Sequence, residues 1–141
     1  MEIIEANKYR NKIIALLKQE KLPADLPAPL ENFFATIADG QFAGVAGLEV
    51  YGEYGLLRSL VIGKTFRGQG IANALLKHVE EIAAAKKLLA IYLLTETAAN
   101  YFGRKGYREI TRAEVHADVQ QSAEFNYACP QSAVVMRKSI A

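Results

Sequence analysis

The chain has 141 residues, 51% of them hydrophobic, a composition that suits one domain with a full core. Its 17 basic and 15 acidic residues leave a formal net charge of only +2, which excludes an overall positive field able to hold a nucleic acid or an anionic membrane. We therefore treat residues 1–141 as a single domain and expect neither of these partners.

The first part of the chain predicts a short strand, a helix and an irregular connection. A strand is expected at residues 2–6, and apolar residues recur at helical spacing in KYRNKIIALLKQEK, residues 8–21. The next stretch, LPADLPAP, contains three prolines, which cannot continue a helix and favour an extended, irregular segment.

Three antiparallel strands follow, at about residues 33–38, 42–51 and 56–62. Asp39-Gly40 is a strong hairpin signal between the first two, because both residue types tolerate positive φ. The region 52–55 predicts a second, looser turn before the third strand.

The remainder alternates helices and strands. An apolar stripe over residues 71–83 predicts a helix that packs on the sheet, and LLAIYLL, residues 88–94, predicts a central strand parallel to the 56–62 strand. Thr95 is expected to cap a helix that has Glu96 in its first turn and ends at Gly106. The last two strands are expected at 107–111 and 132–139, with one or two helical turns between them.

A pair of glycines, Gly68 and Gly70, stands where the third strand gives way to the long helix. No acid occurs in residues 54–79, although four basic residues do: Arg58, Lys64, Arg67 and Lys77. The N–H groups of a first helical turn lack intrahelical acceptors, and the helix dipole favours an anion there. The two glycines could be there simply to allow a tight turn between strand and helix. The basic, acid-free sequence around them instead favours an anion-binding site.

Two nucleotide-binding motifs are excluded by spacing. A Walker loop needs a glycine where Arg58 stands, and a dinucleotide fingerprint needs a third glycine where Asn73 stands.

Arg67-Gly68-Gln69-Gly70-Ile71-Ala72 resembles the coenzyme A loop of the Gcn5-related N-acetyltransferases, whose signature is Gln/Arg-x-x-Gly-x-Gly/Ala after a strand. The order of predicted elements extends this resemblance over nearly the whole chain. It implies a mixed α/β (α+β) fold, with a mostly antiparallel sheet, helices on both faces and a splayed parallel strand pair. GLE, LLRSLVI, LLTETA and ACPQSAVVMRK further resemble a subgroup associated with arsenic-resistance operons.

The resemblance implies that acetyl-coenzyme A is the co-substrate. Its diphosphate would meet the backbone N–H groups of the signature loop and the charge of Arg67, and its pantetheine arm would pair with strand backbone, where an N–H near Ile62 could polarise the thioester carbonyl. The coenzyme-binding residues expected are Leu60, Val61, Ile62, Arg67, Gly68, Gln69, Gly70, Ile71 and Ala72.

Attack of an amine on a thioester needs a neutral amine, for which a carboxylate is the usual base. The candidate catalytic residues are Glu49, which interrupts the apolar pattern of a strand, and Glu96. Glu49 could instead lie on a solvated face of its strand. Glu96 could instead stabilise the N-terminus of a helix. Phe102 occupies the position of the family's common tyrosine, which leaves the general acid open. Tyr101 should point about 100° away around the helix.

The predicted activity is direct transfer of acetyl from acetyl-coenzyme A to a primary amine of a small amino compound, with a link to arsenic or toxin resistance. Arg58 or Arg112 would bind a carboxylate of that substrate. A protein amine is the second candidate acceptor, and a coenzyme A-binding regulatory module without turnover is the alternative from another class. A homodimer is left open.

The single cysteine, Cys129, cannot form an internal disulfide and is expected to be a packed thiol, so a cytoplasmic location is the simplest expectation. The N-terminus is too polar for a signal peptide. His78 is expected to be solvated, and His116 to lie in a surface loop. No His/Cys spacing predicts a metal site.

Overall fold

The structure, a computed structural model, describes residues 1–125 and 130–141. Short 3₁₀ turns occur at Asn7–Tyr9, Lys64–Phe66 and Arg112–Glu114. The strands and α-helices are β1 (Glu2–Glu5), α1 (Arg10–Gln19), β2 (Phe33–Ala38), β3 (Gln41–Tyr51), β4 (Tyr54–Ile62), α2 (Ile71–Ala85), β5 (Ala90–Thr95), α3 (Ala99–Arg104), β6 (Arg108–Ile110), α4 (Ala117–Gln120) and β7 (Val134–Ser139).

The strands of the described residues form one seven-stranded sheet in the order β1-β2-β3-β4-β5-β7-β6. Neighbouring strands are antiparallel except for β4 and β5, which are parallel. The mixed, mostly antiparallel sheet and its parallel pair at the centre confirm the predicted fold class.

Two tight turns connect the central antiparallel strands. Asp39 and Gly40 have φ of 51° and 73° and form the predicted two-residue hairpin loop. The turn after β3 is also a two-residue loop, because Tyr51 pairs with Tyr54. The prediction of a looser second turn is therefore wrong, since positive φ at Gly52 closes it within two residues.

Helices cover both faces of the sheet. Phe33 and Phe34 are adjacent in β2 and so point to opposite faces. Phe33 belongs to the core cluster that contains α1, whereas Phe34 belongs to the cluster that contains α2 and Phe102 of α3. A third cluster places α4 against β4, β5 and β7. The described helices include none that is long and apolar enough to cross a membrane.

The helix after β5 differs from its prediction at the start and agrees at the end. Thr95 closes β5, and its hydroxyl accepts a hydrogen bond from the Ala98 N–H at 3.0 Å, the kind of bond predicted for a capping threonine, but the helix itself begins only at Ala99. Glu96 lies in the intervening turn and cannot stabilise the helix N-terminus as predicted. Gly106, with φ 96°, ends the helix as predicted: its N–H and that of Tyr107 bond back to the last turn, a Schellman motif.

Candidate active site

A cavity of about 910 Å³ lies where β4 and β5 separate. The two strands pair at only three positions, the last being Leu56 opposite Tyr92. Beyond that point, residues 57–62 of β4 and 93–95 of β5 line the cavity. Backbone groups along a separated edge need hydrogen-bond partners, which a bound ligand can supply. The splayed parallel pair implied by the resemblance is thus present.

A β-bulge in β4 shapes this wall of the cavity. Between the pairs Val45–Val61 and Gly47–Arg58, β4 contains one residue more than β3. Ser59 lies within the bulge at φ 62°, a conformation that is costly for a residue with a side chain. A bulge bends its strand and leaves ladder groups unpaired. The sequence has neither glycine nor asparagine at this position, the residue types that most readily take positive φ, and so gave no sign of the bulge.

The glycine pair lies in a smaller recess at the start of α2. Gly68 and Gly70 have φ of +78° and +80°, and a Cβ on either would meet no protein atom within 4 Å. The backbone conformation therefore requires glycine, and the adjoining space is open. Gly70 is the N-cap of the 15-residue helix and provides no side-chain cap. The recess thus presents first-turn N–H groups and the positive end of the helix dipole, which fit a diphosphate.

Eight of the nine predicted coenzyme-binding residues line the cavity or the recess. The exception is Gln69, which is exposed between the two glycines. The side chains of Val61 and Ile62 are buried in the core, so only their backbone groups can serve the cavity.

Arg67 lines both the cavity and the recess. Its Nε donates to the carbonyl oxygen of Ile62 at 3.1 Å, and its Nη2 donates to Glu20 Oε1 at 2.8 Å. The guanidinium therefore bridges the end of β4 and the residue that follows α1. Glu20, which the sequence did not indicate, also lines the cavity.

Tyr101 lines the cavity and the recess, next to Phe102, which lines the cavity. Its hydroxyl donates to Asn73 Oδ1 at 2.6 Å, which joins α3 to the first turn of α2. Burial, followed by the negative charge of Glu80, raises the pKa of the Tyr101 phenol. The expectation that Tyr101 turns away from the site is wrong, because the short helix presents both aromatic residues to the gap between the strands.

Glu49 and Arg58 form an ion pair across β3 and β4. Arg58 Nη1 lies 3.0 Å from Glu49 Oε2, and the hydroxyl of Tyr51 donates to Glu49 Oε1 at 2.6 Å. The other nitrogens of Arg58 donate to Ser59 Oγ and to the Asp25 carbonyl oxygen. Arg58 lines the cavity although it is only 4% exposed, whereas Glu49 is not among the lining residues. Both oxygens of the predicted base thus accept hydrogen bonds.

Two further carboxylates lie on the cavity wall. Glu96 is exposed in the turn after β5, and Glu124, from the segment after α4, is only 5% exposed. Glu124 escaped the sequence analysis because the polar segment around it has no clear periodicity.

Arg112 is not among the residues that line the cavity. Its Nη2 donates to the carbonyl oxygen of Pro130 at 2.8 Å, and Pro130 itself does line it. Arg112 therefore supports the rim and does not reach the cavity as a substrate ligand.

The two histidines are involved in packing. His78 is half-buried and contacts Phe34 edge to face, so the expectation that it is solvated is wrong. His116 caps α4 through Nδ1 and stacks on Tyr54. Cys129 lies outside the described residues. Within residues 1–125 and 130–141, no group of three or more His, Cys, Asp or Glu side chains is placed to hold a metal ion.

Known proteins share this architecture. A family model for the acetyltransferase (GNAT) family matches residues 7–109. Rv2747 from Mycobacterium tuberculosis, solved with coenzyme A, superposes with a TM-score of 0.83 at 21% identity over 99% of each chain. An aminoglycoside 6'-N-acetyltransferase complexed with coenzyme A gives a TM-score of 0.73 at 16% identity, covering 100% of this chain and 98% of that one.

N-acetylglutamate synthase from Neisseria gonorrhoeae, complexed with coenzyme A and N-acetyl-glutamate, gives a TM-score of 0.81 at 15% identity. The match covers 99% of this chain but only 35% of the synthase, so the chain spans about a third of that enzyme. At these identities the likenesses establish a shared fold.

Because the family match covers most of the chain, the chain belongs to the acetyltransferase (GNAT) family, a class of acetyl-coenzyme A-dependent acyltransferases. The family predicted from the signature loop is thereby confirmed. The narrower resemblance to arsenic-resistance proteins stays a prediction.

Proposed function

We propose that this protein moves acetyl from acetyl-coenzyme A to a primary amine of a small amino compound by direct transfer. One observation carries the proposal: the cavity extends along the separated edge of β4 from Arg67, which also lines the glycine recess, to the charged residues Arg58 and Glu124. A single cavity that holds both substrates allows the amine to attack the thioester in a ternary complex.

The chain's own groups would serve the coenzyme end of this cavity. The recess at Gly68 and Gly70 would receive the diphosphate, and the open edge of β4 would pair with the pantetheine arm. A backbone N–H near Ile62 would donate to the thioester oxygen as negative charge develops there. The departing thiol, with a pKa near ~8.5, can leave as thiolate, so the absence of tyrosine at Phe102 is compatible with turnover.

Arg58 is the residue that we propose for a carboxylate of the acceptor. Its bonds to Ser59, Glu49 and Asp25 use three of the five N–H donors of the guanidinium, which leaves two for a ligand. The gonococcal synthase, which shares the fold, is complexed with N-acetyl-glutamate, a small compound that contains carboxylates, and this is consistent with an amino acid as the acceptor. An amino-acid-like arsenical is the candidate that the sequence resemblance suggests.

Glu49 and Glu96 differ as candidate bases. Glu96 lines the cavity but is exposed, and Glu49 is committed to Arg58 and Tyr51. We therefore propose that Glu49 acts as a positioning residue, which fixes the guanidinium of Arg58 at the cavity wall.

The test is release of free thiol from acetyl-coenzyme A across a panel of amino acids, simple amines, an amino-acid-like arsenical and peptides with free N-termini. We expect turnover with a small amino acid or its analogue, and an acetylated product by mass spectrometry. Turnover with peptides alone would favour a protein acetyltransferase. Coenzyme A binding without thiol release from any acceptor would favour a regulatory module.

A further inference from the structure

A short extended segment forms part of the cavity wall. We call residues 22–27 the proline segment; they belong to no helix or strand. Leu22 and Pro23 line the cavity, and Leu22, Ala24 and Leu26 pack against the core cluster that contains α1. Packing of every second residue is typical of extended chain. Because this stretch lies outside the sheet, its backbone carbonyl groups need other hydrogen-bond donors.

Two arginine side chains provide such donors. Arg58 Nη2 donates to the carbonyl oxygen of Asp25 at 2.9 Å. Arg10, the first residue of α1, donates from Nη2 to the Leu26 oxygen at 3.1 Å and from Nη1 to the Pro27 oxygen at 2.7 Å. Three consecutive carbonyl oxygens are therefore held by two guanidinium groups, one from α1 and one from β4.

The proline segment in turn helps to fix Arg58. Besides Asp25, the guanidinium of Arg58 contacts Glu49 and Ser59, which belong to the paired strands β3 and β4. The Asp25 carbonyl belongs to no strand, so its position depends on the bonds that hold the segment. Arg10 supplies two of these bonds, although it is not among the described residues that line the cavity.

We infer that Arg10 is a positioning residue for the acceptor site, an inference that rests on the proposed function. By holding the proline segment, it keeps the Asp25 carbonyl against Arg58 and so keeps that guanidinium in one orientation at the cavity wall. A site ordered in advance binds its ligand without the cost of ordering it. A guanidinium gives a carboxylate two parallel hydrogen bonds only when the two groups are aligned. Arg10 should therefore favour acceptors that contain a carboxylate.

The experiment measures kcat/KM for two acceptors: the amino acid that the thiol-release panel identifies, and the amine formed from it by decarboxylation. We expect Arg10→Met to lower kcat/KM about tenfold for the amino acid, through a higher KM, because the ordering cost returns. The amine should change by less than about twofold, since it has no carboxylate for an aligned Arg58 to bind. Coenzyme A affinity should stay close to that of wild type, which reports an intact fold.

Two further variants separate the shape of the arginine from its charge. Arg10→Lys keeps the charge but replaces the planar fork by a compact ammonium group, so it should lose most of the selectivity. Lys12→Met removes an exposed charge from the same helix and should leave both acceptors unchanged. Trypsin cleavage of the native protein after Lys21, which precedes the proline segment, should be faster in Arg10→Met than in wild type, because the segment is released.

Four results would contradict this role while the proposed function stands. They are equal losses with both acceptors, which indicate general damage to the fold; full selectivity in Arg10→Lys, which indicates an effect of charge alone; unchanged selectivity in Arg10→Met; and a wild type that does not prefer the amino acid to the amine. Absence of thiol release by wild type with every amine would instead refute the proposed function. Cleavage after Lys21 would then still show whether Arg10 holds the segment, and an unchanged rate would refute that as well.

Discussion

Arg67 and Glu20 form an ion pair, with Nη2 and Oε1 2.8 Å apart, that joins the coenzyme loop to the residue following α1. The guanidinium side chain is 47% exposed and the glutamate side chain 19% exposed. Arg67, which we propose binds the diphosphate, is thus already paired with a carboxylate of the protein itself. An incoming phosphate must share the guanidinium of Arg67 with Glu20 or displace Glu20 from it.

Glu20→Gln should therefore bind coenzyme A more tightly, by about threefold to tenfold, up to about 1.4 kcal/mol. The amide keeps an acceptor for Arg67 but no longer competes with the diphosphate for the guanidinium as a charged partner. Calorimetry measures the affinity, and the same substitution in an Arg67→Gln background is the control, where the gain should vanish. Weaker binding by Glu20→Gln would show that the pair instead positions Arg67 for the coenzyme.

Gly70→Glu should abolish detectable binding of acetyl-coenzyme A while the fold survives. A side chain at φ +80° would project into the open recess and place a charge against the diphosphate. Gly40→Glu is the matched control, because Gly40 has φ +73° and equally open surroundings but lies in the β2–β3 hairpin. The two variants should lose similar stability, and unchanged affinity in Gly70→Glu would refute the assignment of the recess.

Tyr101→Phe should lower kcat by less than about tenfold, a barrier change below roughly 1.4 kcal/mol. The phenol proton is donated to Asn73, and burial together with Glu80 holds the pKa of Tyr101 above its usual value. The basic limb of the kcat profile should accordingly show no ionisation near ~10. A loss above a hundredfold would instead identify Tyr101 as the acid that protonates the departing thiolate.

Glu49→Gln should destabilise the protein by about 3 kcal/mol, because breaking a buried ion pair leaves one charge without compensation. That charge belongs to Arg58, whose side chain is 2% exposed. Urea unfolding measures the loss, with Glu53→Gln in the exposed turn after β3 as the control. Kinetics of Glu49→Gln distinguish a positioning role from a role as the base. Unchanged stability together with a 10²- to 10⁴-fold loss of kcat would indicate that Glu49 is the catalytic base after all.

The stability of the protein should fall as pH rises above about 10. Burial, followed by the charge and hydrogen bond of Glu80, raises the pKa of Tyr107 above its ordinary value. The folded state then keeps a proton that the unfolded state releases near pH ~10, so the stabilisation is complete below that pH and is lost above it.

Tyr107→Phe tests this linkage by urea unfolding between pH 8 and 11. The variant should be less stable by about 1–2 kcal/mol at pH 8, because a hydrogen bond to a charged group is lost. Its stability should also decline less steeply above pH 10. Lys138 stays paired with Glu80 in both proteins, so the comparison isolates the phenol. An unchanged slope would rule out Tyr107 as a source of the alkaline loss.

The order of elements and the coenzyme loop could be predicted from the sequence because their determinants are local. Asp39 and Gly40 favour a tight turn through their own residue types, and the spacing of the apolar residues in α2 is by itself helical. The signature loop, residues 67–72, is contiguous, so its glycines, charge and following helix are visible in a single stretch. The same locality explains why Gly106 marked the end of α3 correctly.

The elements whose bounds depend on a neighbour were less predictable. The start of α3 is one example, because β5 ends at Thr95 and three residues separate it from the first helical residue, Ala99. The bulge at Ser59 depends on the register between β3 and β4. Neither a residue type nor a periodicity encodes such a register alone.

The set of charged residues around the cavity was decided by the tertiary structure. Glu20 and Glu124 lie far along the chain from Arg58 and Arg67, and only the packing of α1 and the α4 segment on the same sheet brings all four to one cavity. The sequence shows Glu49 only as a charged residue within a strand. Such a residue can face solvent, or it can belong to a buried ion pair. Which of the two it is depends on Arg58 across the sheet, because a charge is tolerated in the interior only where folding supplies its partner.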